Sequence, residues 1–403
     1  QWNWVLNESQ HPDWATYVES LAARGIRVLC YVNPMLRDVP PEDGPAARNL
    51  FQEAMAQGFL VSKASGEAYL MPITAFEVGL LDLTNPDARA WMKGILQQEV
   101  MGHAGCSGWM VDFAEGLPFD AVLHSGVSAY DYHNLYPVDW IRLNRQAAEE
   151  VGKLGETLLF NRSGFTGTAG QSMLVWEGDQ LTTWDQFDGL VSAIHGLLNG
   201  GFSGISINHS DAGGYTSLSA GGQGVNRSAE LLQRWVEANA FTAVLRTHEG
   251  NQPEENAQIY SDAATMDHFA RMTNIYAALA SYRRTLVTEA HEKGWPLVRH
   301  LAMHYPDDEQ SWLVDDQFLL GREILVAPVT TPCVQPPDCP YLHQLYLPPG
   351  QWTHLWSGDL LGDTEVGTWV TVSAPPGEPP VFYRTGSSAL ADVLQELGEL
   401  GLL

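Results

Sequence analysis

Two aspartates stand at the ends of short apolar runs in this chain: Asp112 after Gly108-Trp109-Met110-Val111, and Asp179 shortly after Met173-Leu174-Val175-Trp176. Such runs read as buried strands, and a carboxylate at the end of one projects where strand becomes loop. Two acids on opposite walls of one mouth suit acetal cleavage. One attacks or stabilises an anomeric carbon and the other protonates the leaving oxygen, with the carboxyls about 5 to 5.5 Å apart when configuration is retained. Their proton affinities must be split, so that one stays charged while the other keeps its proton. The competing reading makes either aspartate a cap for the next helix. A tryptophan inside each run, Trp109 and Trp176, together with the shared position in the strand–loop pattern, favours catalysis.

Other candidates follow further runs. Arg162, in Asn161-Arg162-Ser163-Gly164, can hold a substrate oxygen or pair with a catalytic acid and tune it. His209 and Asp211, in Asn208-His209-Ser210-Asp211, and His248, in Arg246-Thr247-His248-Glu249, can bond sugar hydroxyls or hold loops. Glu115 reads as loop support and Glu177 as a bystander. No HxH or HExxH occurs, and neither Ser163 nor Ser210 stands in a GxSxG elbow, so metal and serine chemistry are disfavoured and no cofactor is expected.

The elements that must position these groups alternate. Apolar runs at 26–34, 108–115, 157–164, 173–180, 204–214 and 241–250 are separated by helical stretches such as 13–23, 86–101, 137–151, 185–198 and 227–240. This is the rhythm of a parallel α/β sheet, and functional groups gathered at strand C-terminal ends point to a (β/α)8 barrel, with Asp112 closing the fourth strand by order. Six runs are clear and Trp2–Val5 reads as the end of a seventh, so the first strands are expected ahead of residue 1. After Trp295-Pro296, short runs broken by Pro, Gly and Asp predict an antiparallel β-sandwich. The expected division is a barrel over 1–295, a sandwich over 296–388 and a short helical tail over 389–403.

The chain has 403 residues, and 48 Asp plus Glu against 21 Lys plus Arg give a net charge of −27. That balance opposes nucleic acid and anionic membranes as partners, and an anionic substrate would need its own cationic pocket. No apolar stretch is long enough to insert in a bilayer. The start, without Met, implies that any targeting signal lies ahead of residue 1, so the compartment stays unassigned. Oligomeric state, including a homo-oligomer or larger assembly, is equally open. Cys30 and Cys106 lie in apolar runs and read as buried free thiols, whereas Cys333 and Cys339 flank a proline-rich loop and could be bridged.

Seven segments, IRVLCYVNPML, GWMVDFAEGLP, NRSGFTG, VWEGDQ, NHSDAGGYTS, VLRTHEG and QFLLGREILVAPV, together resemble glycoside hydrolase family 31 in the same order across nearly the whole chain. The resemblance implies a (β/α)8 barrel followed by β-sandwich structure, with Asp112 as nucleophile and Asp179 as general acid/base. It also places Arg162, Trp176, His209, Asp211 and His248 around the sugar. The wording is most similar to the sulfoquinovosidase branch, in which Trp2 and Tyr215 would help to bind a sulfonate; the alternative for both is aromatic packing. The branch's sulfonate-binding arginine would fall ahead of Gln1. Two departures are Glu177, where a small residue is familiar, and a longer loop after Tyr215. The expected activity is that of a retaining exo-α-glycosidase on α-sulfoquinovosides. The alternatives are an α-glucosidase for neutral glucosides and a non-catalytic carbohydrate-binding or structural subunit.

Overall fold

A computed structural model describes residues 2–39, 48–73, 76–219, 224–333 and 341–403, and its backbone divides into two units, Gln1–Val175 and Trp176–Leu403. In the first unit, helix α1 (Trp14–Ala22) precedes strands β1 (Cys30–Val32) and β2 (Met35–Leu36). Helix α2 (Leu50–Gln57), the hairpin β3 (Leu70–Ile73) and β4 (Phe76–Leu80), and helix α3 (Pro86–Ile95) follow. Then come β5 (Gly108–Val111), the short α4 (Ala129–Tyr132), α5 (Tyr136–Glu150), β6 (Leu158–Asn161) and β7 (Leu174–Trp176), the strand in which the units divide.

Local chemistry explains these boundaries. Asn85 caps α3 by accepting from the amides of Asp87 and Ala88, and Pro86 occupies its first turn. The helix continues as a π-helical segment to His103, beyond the Met101 boundary read from sequence. Asn49 caps α2 and left-handed Gly58 ends it. All four residues of β5 are buried, as a central parallel strand requires. Its Gly108 passes so close to the Leu158 carbonyl that a Cβ there would collide with backbone. The Trp109 indole is fully buried, and its N–H donates to Asn144 Oδ1 on α5 at 2.7 Å.

β1, β5, β6 and β7 run parallel in that spatial order, with Val32 opposite Val111 and Val111 opposite Asn161. This register carries the side chains just beyond the strand ends to one level. The core beneath gathers Val32, Leu80, Trp109, Val111, Tyr136 and Trp140. The structure corrects one expectation here, because Cys30 and Cys106 are joined in a disulfide with Cα atoms 5.9 Å apart. Pairing of Cys30 with Trp109 across β1 and β5 brings Cys106, three residues earlier, beside the strand.

The second unit opens with Trp176 and contains α6 (Leu190–Phe202), β8 (Asn208–His209), β9 (Asp211–Ala212), α7 (Ala229–Ala240), β10 (Arg246–Thr247), α8 (Ala263–Ala278) and α9 (Ala280–Lys293). Helix α6 begins later than the sequence suggests, since Thr183–Gly189 is a turn held by Thr183 and Asp185 side chains. Next come β11 (Val298–Arg299), β12 (Phe318–Leu320), β13 (Ile324–Val326), β14 (Leu342–Leu347), β15 (Trp352–His354), β16 (Leu360–Leu361), β17 (Thr368–Ser373), β18 (Val381–Arg384) and α10 (Ala391–Glu399). A six-stranded antiparallel sheet in the order β11-β12-β13-β18-β15-β16 and the β14–β17 pair bury Leu319, Leu325, Leu345, Leu347, Trp352 and Phe382 between them. Cys333 is disulfide-bonded, whereas Cys339 lies outside the described residues. Among the described residues no helix is long and apolar enough to cross a membrane.

The Cys30–Cys106 link closes a loop of 76 residues and restricts the unfolded chain. Replacing both cysteines by Ala is therefore expected to lower unfolding free energy by about 2–4 kcal/mol in urea titrations without reductant. Unchanged stability, together with alkylation of both wild-type thiols in the unreduced protein, would rule the link out.

Candidate active site

Asp112 is the first residue beyond β5, and its amide donates to the Val32 carbonyl at 2.9 Å, extending the parallel ladder by one step. The carboxyl is 4% exposed. Its Oδ2 accepts from the Tyr31 hydroxyl at 2.6 Å, and its Oδ1 lies 3.3 Å from Arg162 Nε without a well-aligned hydrogen bond. Burial raises the Asp112 pKa, while Arg162, the Tyr31 hydroxyl and the Phe113 amide pull against that shift. Burial and the adjacent Asp112 push the Tyr31 phenol well above its ordinary value, so it remains a donor. The result is an inward-held carboxylate with one oxygen anchored and the other available to an electrophile.

Arg162 pairs with acids, one of the two alternatives that the sequence offers for it. Its Nε reaches Asp112, and its Nε and Nη2 donate to Glu115 Oε1 at 3.1 and 2.5 Å. Glu115, read from sequence as loop support, binds the Arg162 guanidinium. Between the two acids, Phe113 and Ala114 adopt φ of 55° and 85°, left-handed conformations that side-chain-bearing residues seldom take. The reversal is held by Ser163 Oγ donating to the Phe113 carbonyl and by the Arg162 guanidinium 4.2 Å over the Phe113 ring. Trp2 packs edge-on against Phe113 at 5.1 Å and against Phe76 at 5.4 Å.

In the second unit, Asp179 is exposed on the turn after β7. Gly178, at φ 88°, allows the turn, and Gln180 Nε2 donates to the Glu177 carbonyl at 2.6 Å. The amides of Tyr215 and Thr216 both donate to the Gln180 carbonyl at 2.9 Å, while Thr216 Oγ1 reaches the Asp179 carbonyl at 3.1 Å. Backbone bonds thus fix the segment that carries Asp179. The preceding double glycine makes this approach possible: Gly214 sits at φ 74°, and a Cβ on it would lie 2.7 Å from the Leu181 carbonyl oxygen.

Trp176, His209 and Asp211 form a buried network and present little free surface. The Trp176 indole donates to Asp211 Oδ2 at 3.1 Å, and Arg246 pairs with Asp211 Oδ1 and donates from Nε to His209 at 3.0 Å. Parallel pairing of β9 and β10, Asp211 opposite Arg246, creates this contact. Burial pushes the Asp211 carboxyl up to about 7, with Arg246 opposing. Sequence reading passed over Arg246, although it stands two residues before His248 in the same quoted motif.

Sequence reading also missed Arg227. This buried guanidinium donates to the carbonyls of Gly214, His248, Glu249 and Ala257, tying the Tyr215 loop to the His248 loop. Tyr215 stands edge-on to His248 with ring centroids 4.6 Å apart. Burial, aided by Arg246 and Arg227, lowers His248 to about 4, and its Nδ1 accepts from the Gly250 amide at 3.1 Å. The imidazole is therefore neutral near pH 7, with its proton on Nε2 as an outward donor. Among the described residues no three His, Cys, Asp or Glu side chains converge as metal ligands would.

Residues 1–287 match the glycosyl hydrolases family 31 TIM-barrel domain, and residues 294–388 match the glycosyl hydrolase family 31 C-terminal domain. The chain belongs to glycosyl hydrolase family 31, and its fold is a TIM barrel followed by a C-terminal β domain. It is 41% identical over 393 residues to the sulfoquinovosidase of Escherichia coli (strain K12), covering 96% of this chain and 54% of that protein. It is 43% identical over 388 residues to the sulfoquinovosidase of Agrobacterium fabrum, covering 96% and 55% respectively. A solved GH31 family sulfoquinovosidase from E. rectale, in complex with the aza-sugar inhibitor IFGSQ, superposes with a TM-score of 0.90 at 39% identity. That match covers 99% of this chain and 56% of the solved one. The chain thus spans about half the length of the curated relatives it matches.

One feature of the site is measurable without substrate. The Glu177 carboxyl packs against Gly196 of α6, and burial pushes it up to about 7. The unfolded chain binds this proton only below roughly pH 4.3. The folded form therefore holds the extra proton between those values, and the associated stability is lost as pH rises through the window. Wild-type Tm should decline from about pH 4.5 to 7, and Glu177→Gln should flatten part of that decline. The same slope in both proteins would mean that Glu177 is ionised throughout.

Proposed function

We propose that the protein hydrolyses α-glycosides of sulfoquinovose with retention of configuration, with Asp112 as nucleophile and Asp179 as general acid/base. The observation that carries the mechanism is the state of Asp112: buried, anchored through Oδ2 by Tyr31, and held at Oδ1 beside Arg162 without a well-aligned hydrogen bond. The substrate class rests on the sulfoquinovosidases to which the chain is similar.

In the first step Oδ1 attacks the anomeric carbon as the bond to the aglycone oxygen breaks, and Asp179 gives its proton to that oxygen. In the second, Asp179 takes a proton from water, the water oxygen bonds to the anomeric carbon, and the bond to Asp112 breaks. Arg162 lowers the cost of keeping Asp112 charged in its buried setting. His248 Nε2–H, the Tyr215 hydroxyl and the Trp2 indole N–H are neutral donors suited to sugar hydroxyls and sulfonate oxygens. Trp176, His209 and Asp211 act mainly through Arg246, as positioning residues beneath that surface. Residues 1–295 would form the catalytic domain and residues 296–388 the sandwich.

Release of nitrophenol from the α-sulfoquinovoside should exceed release from the α-glucoside in kcat/KM, and Asp112→Asn should lower turnover by at least about 10⁴-fold while retaining the fold. Preference for the glucoside would favour a neutral α-glucosidase. Near-wild-type turnover by Asp112→Asn would remove Asp112 from the mechanism, and no turnover of either glycoside by the wild type would favour a non-catalytic role.

A further inference from the structure

Glu177 takes no part in the steps above, yet its peptide groups are gripped on both sides. The amide donates to the His209 carbonyl at 2.9 Å, and the carbonyl accepts from Gln180 Nε2 at 2.6 Å. Its side chain reaches helix α6. A Cβ added at Gly196 would come within 2.2 Å of Glu177 Oε2, so the carboxyl fills the space that a glycine leaves open on that helix.

We propose that Glu177 is a positioning residue for the general acid: seated on Gly196, it holds the turn that presents Asp179 to the leaving oxygen. This rests on the role given to Asp179 above. Only Gly178 separates the two acids, and at φ 88° it turns the chain with nothing within 4 Å of where its Cβ would stand. Gly178 therefore adds no packing of its own to the turn. Beyond Asp179 the chain is held by the backbone bonds at Gln180; ahead of Asp179 the anchor is Glu177.

The seat suits a neutral acid better than a carboxylate. The titratable groups on the elements around it are engaged elsewhere: His195, next to Gly196 on α6, lies 3.5 Å from Asp315, and His209 on β8 accepts from Arg246. Asp179, on the same turn, is exposed. Burial alone pushes the Glu177 carboxyl up to about 7. Above that value a charge on the seat loses hydration without gaining a partner, which favours withdrawal of the side chain and loosens the turn.

Gly196→Ala adds the one methyl that meets Oε2, at a helical position where Ala is favoured, so it should displace the carboxyl while α6 stays folded. Wild type, Gly196→Ala, Glu177→Gln and Asp179→Ala are compared on methyl and nitrophenyl α-sulfoquinovosides. A methyl glycoside depends on protonation of its leaving oxygen far more than a nitrophenyl one does. Gly196→Ala should lower kcat/KM about 10- to 100-fold on the methyl glycoside and less than about 3-fold on the nitrophenyl glycoside, in the same sense as Asp179→Ala. Glu177→Gln, which keeps the shape without the ionisation, should lose kcat/KM less steeply than the wild type above about pH 7. Equal losses on both glycosides in Gly196→Ala, no loss on either, or one pH profile shared by Glu177→Gln and wild type overturns the role of Glu177 and leaves that of Asp179 standing. Equal losses on both glycosides in Asp179→Ala overturn the two roles together, and a wild type that cleaves neither glycoside overturns the proposed function with them.

Discussion

For Asp112 to serve as the proposed nucleophile, its buried carboxylate has to be held in place without being neutralised, and the contact between Asp112, Tyr31 and Arg162 meets that constraint. Each member comes from a different parallel strand: Tyr31 from β1, Asp112 from just beyond β5, Arg162 from just beyond β6. Strand register does the positioning, since Val32, Val111 and Asn161 lie level, with Asp112 and Arg162 one residue beyond that level and Tyr31 one residue before it. Close approach at Gly108 and the Trp109–Asn144 bond hold β5 against its neighbours. The cost appears as strain at Phe113 and Ala114, which turn the loop so that Glu115 can share Arg162.

The second unit solves a different problem with similar means. Asp179 is exposed, and the surrounding backbone is what is fixed. Gln180, Tyr215 and Thr216 lock the turn, Gly213 and Gly214 permit the approach, and Arg227 fastens that loop to the one bearing His248. Two arginines, buried Arg227 and half-buried Arg246, thereby organise loops at strand ends. Burial, aided by the charge of Arg246 and Arg227, keeps His248 neutral.

How much of this was legible in the sequence depended on whether the cause was local. The strand before Asp112 could be read because four apolar residues precede a charge, and α3 because Asn85-Pro86 announces its start. The C-terminal tail helix and most of the antiparallel strands were legible from the same local signals. The Cys30–Cys106 disulfide was not, because its cause is the adjacency of β1 and β5, and apolar surroundings suggested free thiols instead. Arg227 and Arg246 were missed for the same reason, their partners being far away in sequence. Nothing local marks Phe113 and Ala114 as left-handed, since neither is glycine. His209 and Asp211 were found as polar residues at a strand end, yet only the β9–β10 pairing shows that they face Arg246 and are buried.

As the proposed nucleophile, Asp112 would form a covalent bond from Oδ1 to the sugar. Incubation with a fluorinated sulfoquinovosyl donor that slows breakdown of the glycosyl-enzyme, followed by proteolysis and mass spectrometry, tests it directly. One adduct is expected, on the peptide containing Gly108–Gly116 and localised to Asp112. An adduct on another residue, or full turnover of the wild type with an inverted product and no adduct, would contradict it.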